Sequence, residues 1–403
     1  MKERVKERLK KLGPGIITGG AGDDPAGILT YTIVGATTGF SQLWLLLLST
    51  PMMIAVQNTA AKLALVTGKS LPEILSKFYP KKFTYGIVLL LSVANILTIG
   101  ADLEAVASIF QILTGVKSIY YLVPITALIA YLVTFKRYRT VKKVLIGLTS
   151  ILSLYILSAI MSKPHVKSLL LSTFIPHIDF KIAFLLSALG LLGTTISPYM
   201  IFWQASEEKE EHATVAQAKV AEWDTILGMV YSNIIAYAII VSSAVMLHNQ
   251  KNIEEISDAA LALKPVAGEY AFLIFSLGVL VSGFLAVPVL AGSTAYAVAD
   301  TFGWREGLEN RVSDARGFYF VFLSSLLIGD FIDFSPISAV DALFYSQVLD
   351  GILLPVMSFL LLILGNNRKI LGEQKNKLPT NVLLLLTLIT SFSATVYLLS
   401  NIL

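Results

Sequence analysis

The sequence predicts an all-α integral membrane protein of about eleven transmembrane helices, arranged as a 5+5 inverted repeat with helices 1 and 6 broken. Three observations carry this. The 403 residues are 55% hydrophobic and 14% charged, with a mean hydropathy of +0.73. The apolar residues come in blocks of about 20, the length that crosses a bilayer core. Two of these blocks, five helices apart, are interrupted by a proline beside small or polar residues, at Asp24-Pro25 and at Ser197-Pro198.

Composition also excludes. With no cysteine, disulfides and thiolate metal sites are ruled out. The formal net charge of +4 sits in basic loops, so it indicates membrane orientation and not a nucleic-acid partner. The four histidines, His165, His177, His212 and His248, fall in or beside loops. No nucleotide loop, histidine-rich cluster or Ser/His/Asp arrangement is present, so neither an enzyme nor a resident cofactor is expected. The expected partners are the lipid bilayer and a transported ion, and the chain is read as a monomer.

The elements follow in order. Residues 1–12 form a basic amphipathic lead-in carrying Lys2, Arg4, Lys6, Arg8, Lys10 and Lys11. Spans are expected at about 14–39, 41–66, 83–113, 119–135 and 144–162, then at 180–204, 224–248, 269–300, 317–333, 336–364 and 379–403. Basic residues cluster after spans 2, 4, 8 and 10, and the loops between are poor in cations. By the excess of Lys and Arg in cytoplasmic loops, the N-terminus is inside, the C-terminus outside, and the membrane is the cell's inner (plasma) membrane. The acidic stretch Glu207-Glu208-Lys209-Glu210-Glu211 after span 6 reads as a solvated loop helix. The residues from Ala286 to Ser293 in span 8 are small and suit close helix packing. Asp300, Asp330, Asp333 and Asp341 lie near span ends and read as interfacial.

The whole chain forms one transmembrane domain. Its repeats run over about 14–162 and 180–364, with 379–403 as an extra helix. Ten helical residues from Pro14 reach about 15 Å, half the bilayer core, which puts Asp24 near the midplane. A carboxylate at that depth is costly and marks a site by default. Two broken helices at matching places in oppositely oriented halves point to a transporter with its site between the breaks. Unwound backbone there must line a cavity or be buried.

These residues resemble the Nramp family of divalent-metal transporters over nearly the whole chain. The best stretch runs from Gly13 to Glu73, with Gly13-Pro14-Gly15, Asp24-Pro25, Leu43-Trp44, Ala61-Lys62-Leu63 and Thr67-Gly68-Lys69. The family's first-helix Asp-Pro-Gly-Asn reads here Asp24-Pro25-Ala26-Gly27, and its sixth-helix Met-Pro-His reads Ser197-Pro198-Tyr199. Gln347 precedes Leu354-Pro355 as in the tenth helix, and Asp102-Leu103 stands for the third-helix pair. The fold implied is LeuT-like. The changes at Gly27, Ser197 and Tyr199, with Glu104 displaced from the family's third-helix glutamate, look more like the Nramp-related branch, which includes magnesium transporters.

By that resemblance Asp24 is the anionic ligand, the Ala21 and Thr194 carbonyls sit at the breaks, and Gln347 adds an amide oxygen. Ser197 supplies a hydroxyl where the family has sulfur. An all-oxygen donor set favours Mg²⁺, Ca²⁺ or Mn²⁺. Gly27 and Ser197 are smaller than what they replace, so a wider cavity is expected, suited to a partly hydrated Mg²⁺. The expected function is secondary transport of a hard divalent cation, Mg²⁺ first and Mn²⁺ second. The alternatives are proton-coupled Mn²⁺ or Fe²⁺ transport and an ion-coupled symporter of organic solutes such as amino acids. Asp23, Pro25, Pro198, Tyr199 and Asp350 line or support the site. Asp350 adds negative potential or bonds span 1 or 6. Asp102 and Glu104 are candidates for a proton path, although two residues apart they point to opposite sides of a helix.

Overall fold

The computed structural model describes residues 14–135, 147, 150–210, 218–248, 253–332 and 337–402. Among them, every regular element is helical. Seven helical segments among them are long and apolar enough to cross a membrane, and the shorter apolar helices Ile119–Phe135 and Ser150–Met161 fall on the expected fourth and fifth spans.

The first span is two helices, α1 (Pro14–Ala21) and α2 (Pro25–Thr38). The break has a local cause. Pro25 has no N–H to extend α1, and Asp24 caps α2 by accepting the Gly27 N–H at 2.5 Å. There follow α3 (Leu43–Thr67), α4 (Leu71–Phe78), α5 (Lys81–Thr114), α6 (Ile119–Phe135), α7 (Leu154–Met161) and α8 (Val166–Phe174). The short α4 starts at a Ser70/Glu73 capping box. Most of the expected fifth span before residue 150 lies outside the described residues, as do His212 and Asp333.

The sixth span is also two helices, α9 (Ile182–Thr195) and α10 (Pro198–Glu210). The second half continues as α11 (Ala218–Met246), α12 (Ala271–Phe302), α13 (Arg316–Ile332), α14 (Ala339–Asn366) and α15 (Leu378–Ile402). Both halves of the first span pack along α11, α9 packs along α14, and α5 packs on α12 and α13. The α9–α14 contact is backbone on backbone. A Cβ at Gly193 would run into the Gln347 carbonyl, and one at Gly351 into that of Leu189.

One expectation is overturned here. The acidic stretch after span 6 is not a solvated loop helix. Residues 207–210 are the last turn of α10, where Glu207 and Glu208 are only 6% and 2% exposed, and Glu211 lies outside the described residues. Within that turn Glu208 accepts from Gln204 Nε2 at 3.0 Å and Glu210 from the Tyr296 hydroxyl, while Lys209 pairs with acids from elsewhere. Its Nζ lies 2.9 Å from Glu73, 2.8 Å from Asp300 and 2.6 Å from Glu306. A run of acids read along the chain shows no such partners, because they come from α4, α12 and the loop beyond it. Of the other span-end acids, Asp330 accepts from Thr126 Oγ1 at 2.8 Å and is buried, while Asp341 pairs with Ser338 at the start of α14. The small residues of span 8 do serve packing: Gly292 faces the Trp203 ring of α10.

Candidate functional site

The two breaks meet. Ala21 at the end of α1 meets Tyr199 of α10, and Thr194 near the end of α9 meets Gly27 of α2, so cation-seeking carbonyls and anion-seeking N–H groups share one region. Tyr199, in the first turn of α10, joins them directly. Its hydroxyl donates to the Ala21 carbonyl at 2.9 Å and lies 3.5 Å from Asp24 Oδ2. A second bridge lies nearby: Thr18 Oγ1 of α1 donates to Gln204 Oε1 of α10 at 2.7 Å. Asp24 and Tyr199 are both buried.

Around the sixth-helix break, Ser197 turns its hydroxyl back on its own helix. It donates to the Gly193 carbonyl at 2.7 Å and to that of Thr194 at 3.1 Å. Its proton is therefore committed, and only oxygen lone pairs remain for a ligand. Pro25 and Pro198 begin the second half of each broken span. Both carbonyls expected at the breaks thus accept a hydroxyl proton, Ala21 from Tyr199 and Thr194 from Ser197. Each carbonyl oxygen keeps a second lone pair.

Position 27 is not widened. A Cβ on Gly27 would meet Thr194 Oγ1 at 2.7 Å, Asp24 Oδ1 at 2.9 Å and the Gly22 carbonyl at 3.1 Å. The volume vacated by a larger side chain is filled by the Thr194 hydroxyl and the capping carboxylate. Tertiary packing decided this: α9 closes on α2 and no residue count along the chain reports it.

The remaining acids separate. Asp23 turns to α11, where Ser232 Oγ donates to its Oδ1 at 2.9 Å. Asp102 faces the bundle and its Oδ1 accepts the Ala26 N–H at 3.1 Å, which fixes the first turn of α2. Glu104 sits on another side of α5, accepting from Ser108 at 3.2 Å. Asp102 and Glu104 are thus not joined to each other. Gln347 and Asp350, on one face of α14, are both buried. Among the described residues no three His, Cys, Asp or Glu side chains converge closely enough to hold an ion, so carbonyl and amide oxygens must complete any shell.

Sequence reasoning missed one donor. The Met200 thioether packs against Gly22 in the first-helix break, with its sulfur 3.2 Å from where a Cβ would stand. Sulfur is thus present beside the site, from a position one helical turn after Ser197. Its i+3 spacing was the available signal.

Comparisons with known proteins give the family and the fold. The family model for Nramp, described as natural resistance-associated macrophage protein-like, matches residues 15–401. A divalent metal cation transporter MntH from Caldanaerobacter subterraneus is 32% identical over 72% of each chain. Another MntH, from Yersinia pestis, is 26% identical over 99% of this chain and 96% of its own. A crystal structure of the Eremococcus coleocola manganese transporter superposes with a TM-score of 0.80 at 18% identity, covering 98% of this chain and 87% of that one. The nucleobase-cation symporter Mhp1 in a closed conformation shares the fold at a TM-score of 0.63 and 13% identity, covering 97% and 93%.

Proposed function

The chain belongs to the Nramp family, and from that premise we propose that it works by alternating access around the two breaks, with Mn²⁺ as its foremost cargo. It is a multi-pass divalent metal cation transporter and not an enzyme. The observation that carries the site is the meeting of the Asp24 carboxylate with the carbonyl end of α1 through Tyr199 of α10. Asp24 neutralises charge, and Ala21, Thr194, Ser197 and Gln347 offer oxygens. Carboxylate, carbonyl and amide oxygens hold hard and borderline divalent ions.

Two details move the reading from Mg²⁺ towards Mn²⁺. The slot beside Gly27 is filled, which leaves less room there for the waters that Mg²⁺ retains. The Met200 sulfur lies at the break, and a thioether suits the softer ion. Mg²⁺ remains the second reading, supported by oxygen as the direct donor at Asp24 and at both carbonyls. The basic loops support an N-terminus in the cytoplasm and a C-terminus outside, across the plasma membrane. The repeats of about 14–162 and 180–364 would rock around the breaks.

Flux into proteoliposomes tests this with Mn²⁺, Mg²⁺ and Cd²⁺ in parallel. Mn²⁺ uptake that Asp24→Ala abolishes is the expected result. Mg²⁺ uptake without Mn²⁺ would overturn the order of preference. Flux retained in Asp24→Ala would remove the site.

A further inference from the structure

Asp350 is a buried carboxylate with neither oxygen hydrogen-bonded. It is 1% exposed, and both Oδ1 and Oδ2 are without a hydrogen-bond partner among the described residues. One turn earlier on the same face, Gln347 is fully buried. Its Nε2 donates to Ser346 at 3.3 Å, and its Oε1 has no partner. Buried acceptors left bare are costly, and a bare buried charge more so. Such groups persist where something else pairs with them.

Their position points to what that is. Because α14 touches α9 backbone to backbone at Gly193 and Gly351, Gln347 and Asp350 are held at the depth of the Thr194–Ser197 break. Asp350 lies in the field of Asp24, Asp102 in the field of both, and Tyr199 in that of all three. No salt bridge found among the described residues reaches any of these carboxylates. Asp24 and Asp102 each accept a backbone N–H, from Gly27 and from Ala26. Asp350 alone of the three has no donor, so it has the most to gain from a cation.

We propose that Asp350 is a second anionic ligand of the transported divalent cation, which it takes together with Gln347 Oε1 from the α14 side, opposite Asp24. The inference rests on the transporter reading above and adds a carboxylate to it. A two-carboxylate site discriminates against monovalent ions, because the second charge is neutralised only by a divalent one. It also explains why α14 meets α9 through glycines at both contact points: a side chain there would hold Asp350 away from the break.

Calorimetric titration of the detergent-purified full chain with Mn²⁺ tests the proposal, alongside thermal melting with and without Mn²⁺. Asp350→Asn should weaken Mn²⁺ binding by about tenfold or more, as loss of a ligating or ligand-orienting group does. It should also raise the metal-free melting temperature, by removing a bare buried charge, while shrinking the Mn²⁺-induced rise. Asp350→Glu should recover part of the affinity. A merely structural Asp350 would alter the metal-free melt and leave the affinity alone, and that result would overturn the proposal. If Asp350→Asn does not fold, Asp350→Ser removes the same charge with a smaller side chain. Its affinity should fall, and affinity equal to wild type would count against the assignment. Should the wild type bind neither Mn²⁺ nor Mg²⁺, the transporter reading itself fails. Wild-type binding with an unchanged Asp350→Asn sinks the second ligand alone.

Discussion

The Tyr199 hydroxyl donates a hydrogen bond to the Ala21 carbonyl at 2.9 Å, tying the first broken span to the sixth. The bond spends one lone pair of a carbonyl that the site needs and sets the hydroxyl 3.5 Å from Asp24 Oδ2. Tyr199 therefore straps the two breaks together when no ion is bound. An ion arriving at Asp24 and Ala21 competes with the strap.

Tyr199→Phe removes it. The Ala21 carbonyl is then left buried without that donor, at a cost of about 1–3 kcal/mol. A lower metal-free melting temperature is expected, together with tighter Mn²⁺ binding, since nothing competes for the carbonyl. A melt and an affinity both equal to wild type would show that the bond holds nothing.

Gly27 and Thr194 share one small volume. A Cβ at position 27 would come 2.7 Å from Thr194 Oγ1, so Gly27→Ala alone should destabilise the protein and lower uptake. Thr194→Ala removes the nearest obstructing atom, although Asp24 Oδ1 remains at 2.9 Å. In a double-mutant cycle the pair should show a favourable coupling of about 0.5–3 kcal/mol, read from melting. Additive effects would mean that the two do not touch.

Gly193→Ala presses a methyl into the Gln347 carbonyl with backbone on both sides. Neither helix can rotate a side chain away, so overpacking should cost at least about 1–3 kcal/mol. Size-exclusion profile and melting temperature read this out. Near-native stability would show that α9 and α14 slide freely.

Glu306 sits in the loop after α12, with its carboxyl pushed up to about 9 by burial and by the hydrogen bond and charge of Asp300, against the pull of Lys209. The folded protein holds this proton more tightly than the unfolded chain, whose value is near 4.5. The contribution is full below that lower value and is lost as pH rises towards 9, so stability should fall across the window. Glu306→Gln keeps the shape without the titration. Its melting temperature should vary less between pH 5 and 9 than that of wild type. Parallel curves for the two proteins would refute the assignment.

Much of the architecture was legible in the residues. Blocks of about 20 apolar residues give crossing helices, because a bilayer leaves backbone groups no other way to be satisfied. Asp24-Pro25 and Ser197-Pro198 gave both breaks, since proline removes a donor and a preceding Asp or Ser readily caps or bonds locally. The acidic end of α10 was misread because the groups it packs against are distant in the chain: the Tyr296 hydroxyl meets Glu210, and Glu73, Asp300 and Glu306 meet Lys209.

The sequence by itself determined the membrane class, the segmentation and the two interruptions, all of which follow from local composition and the thickness of a bilayer. Only the tertiary structure decided which polar groups face one another. It turned Asp23 to Ser232, set Tyr199 on Ala21, filled the space at Gly27 with Thr194, and left Asp350 without a donor. The physical reason is that a helix offers several faces at similar local cost, and packing against partners distant in sequence selects among them.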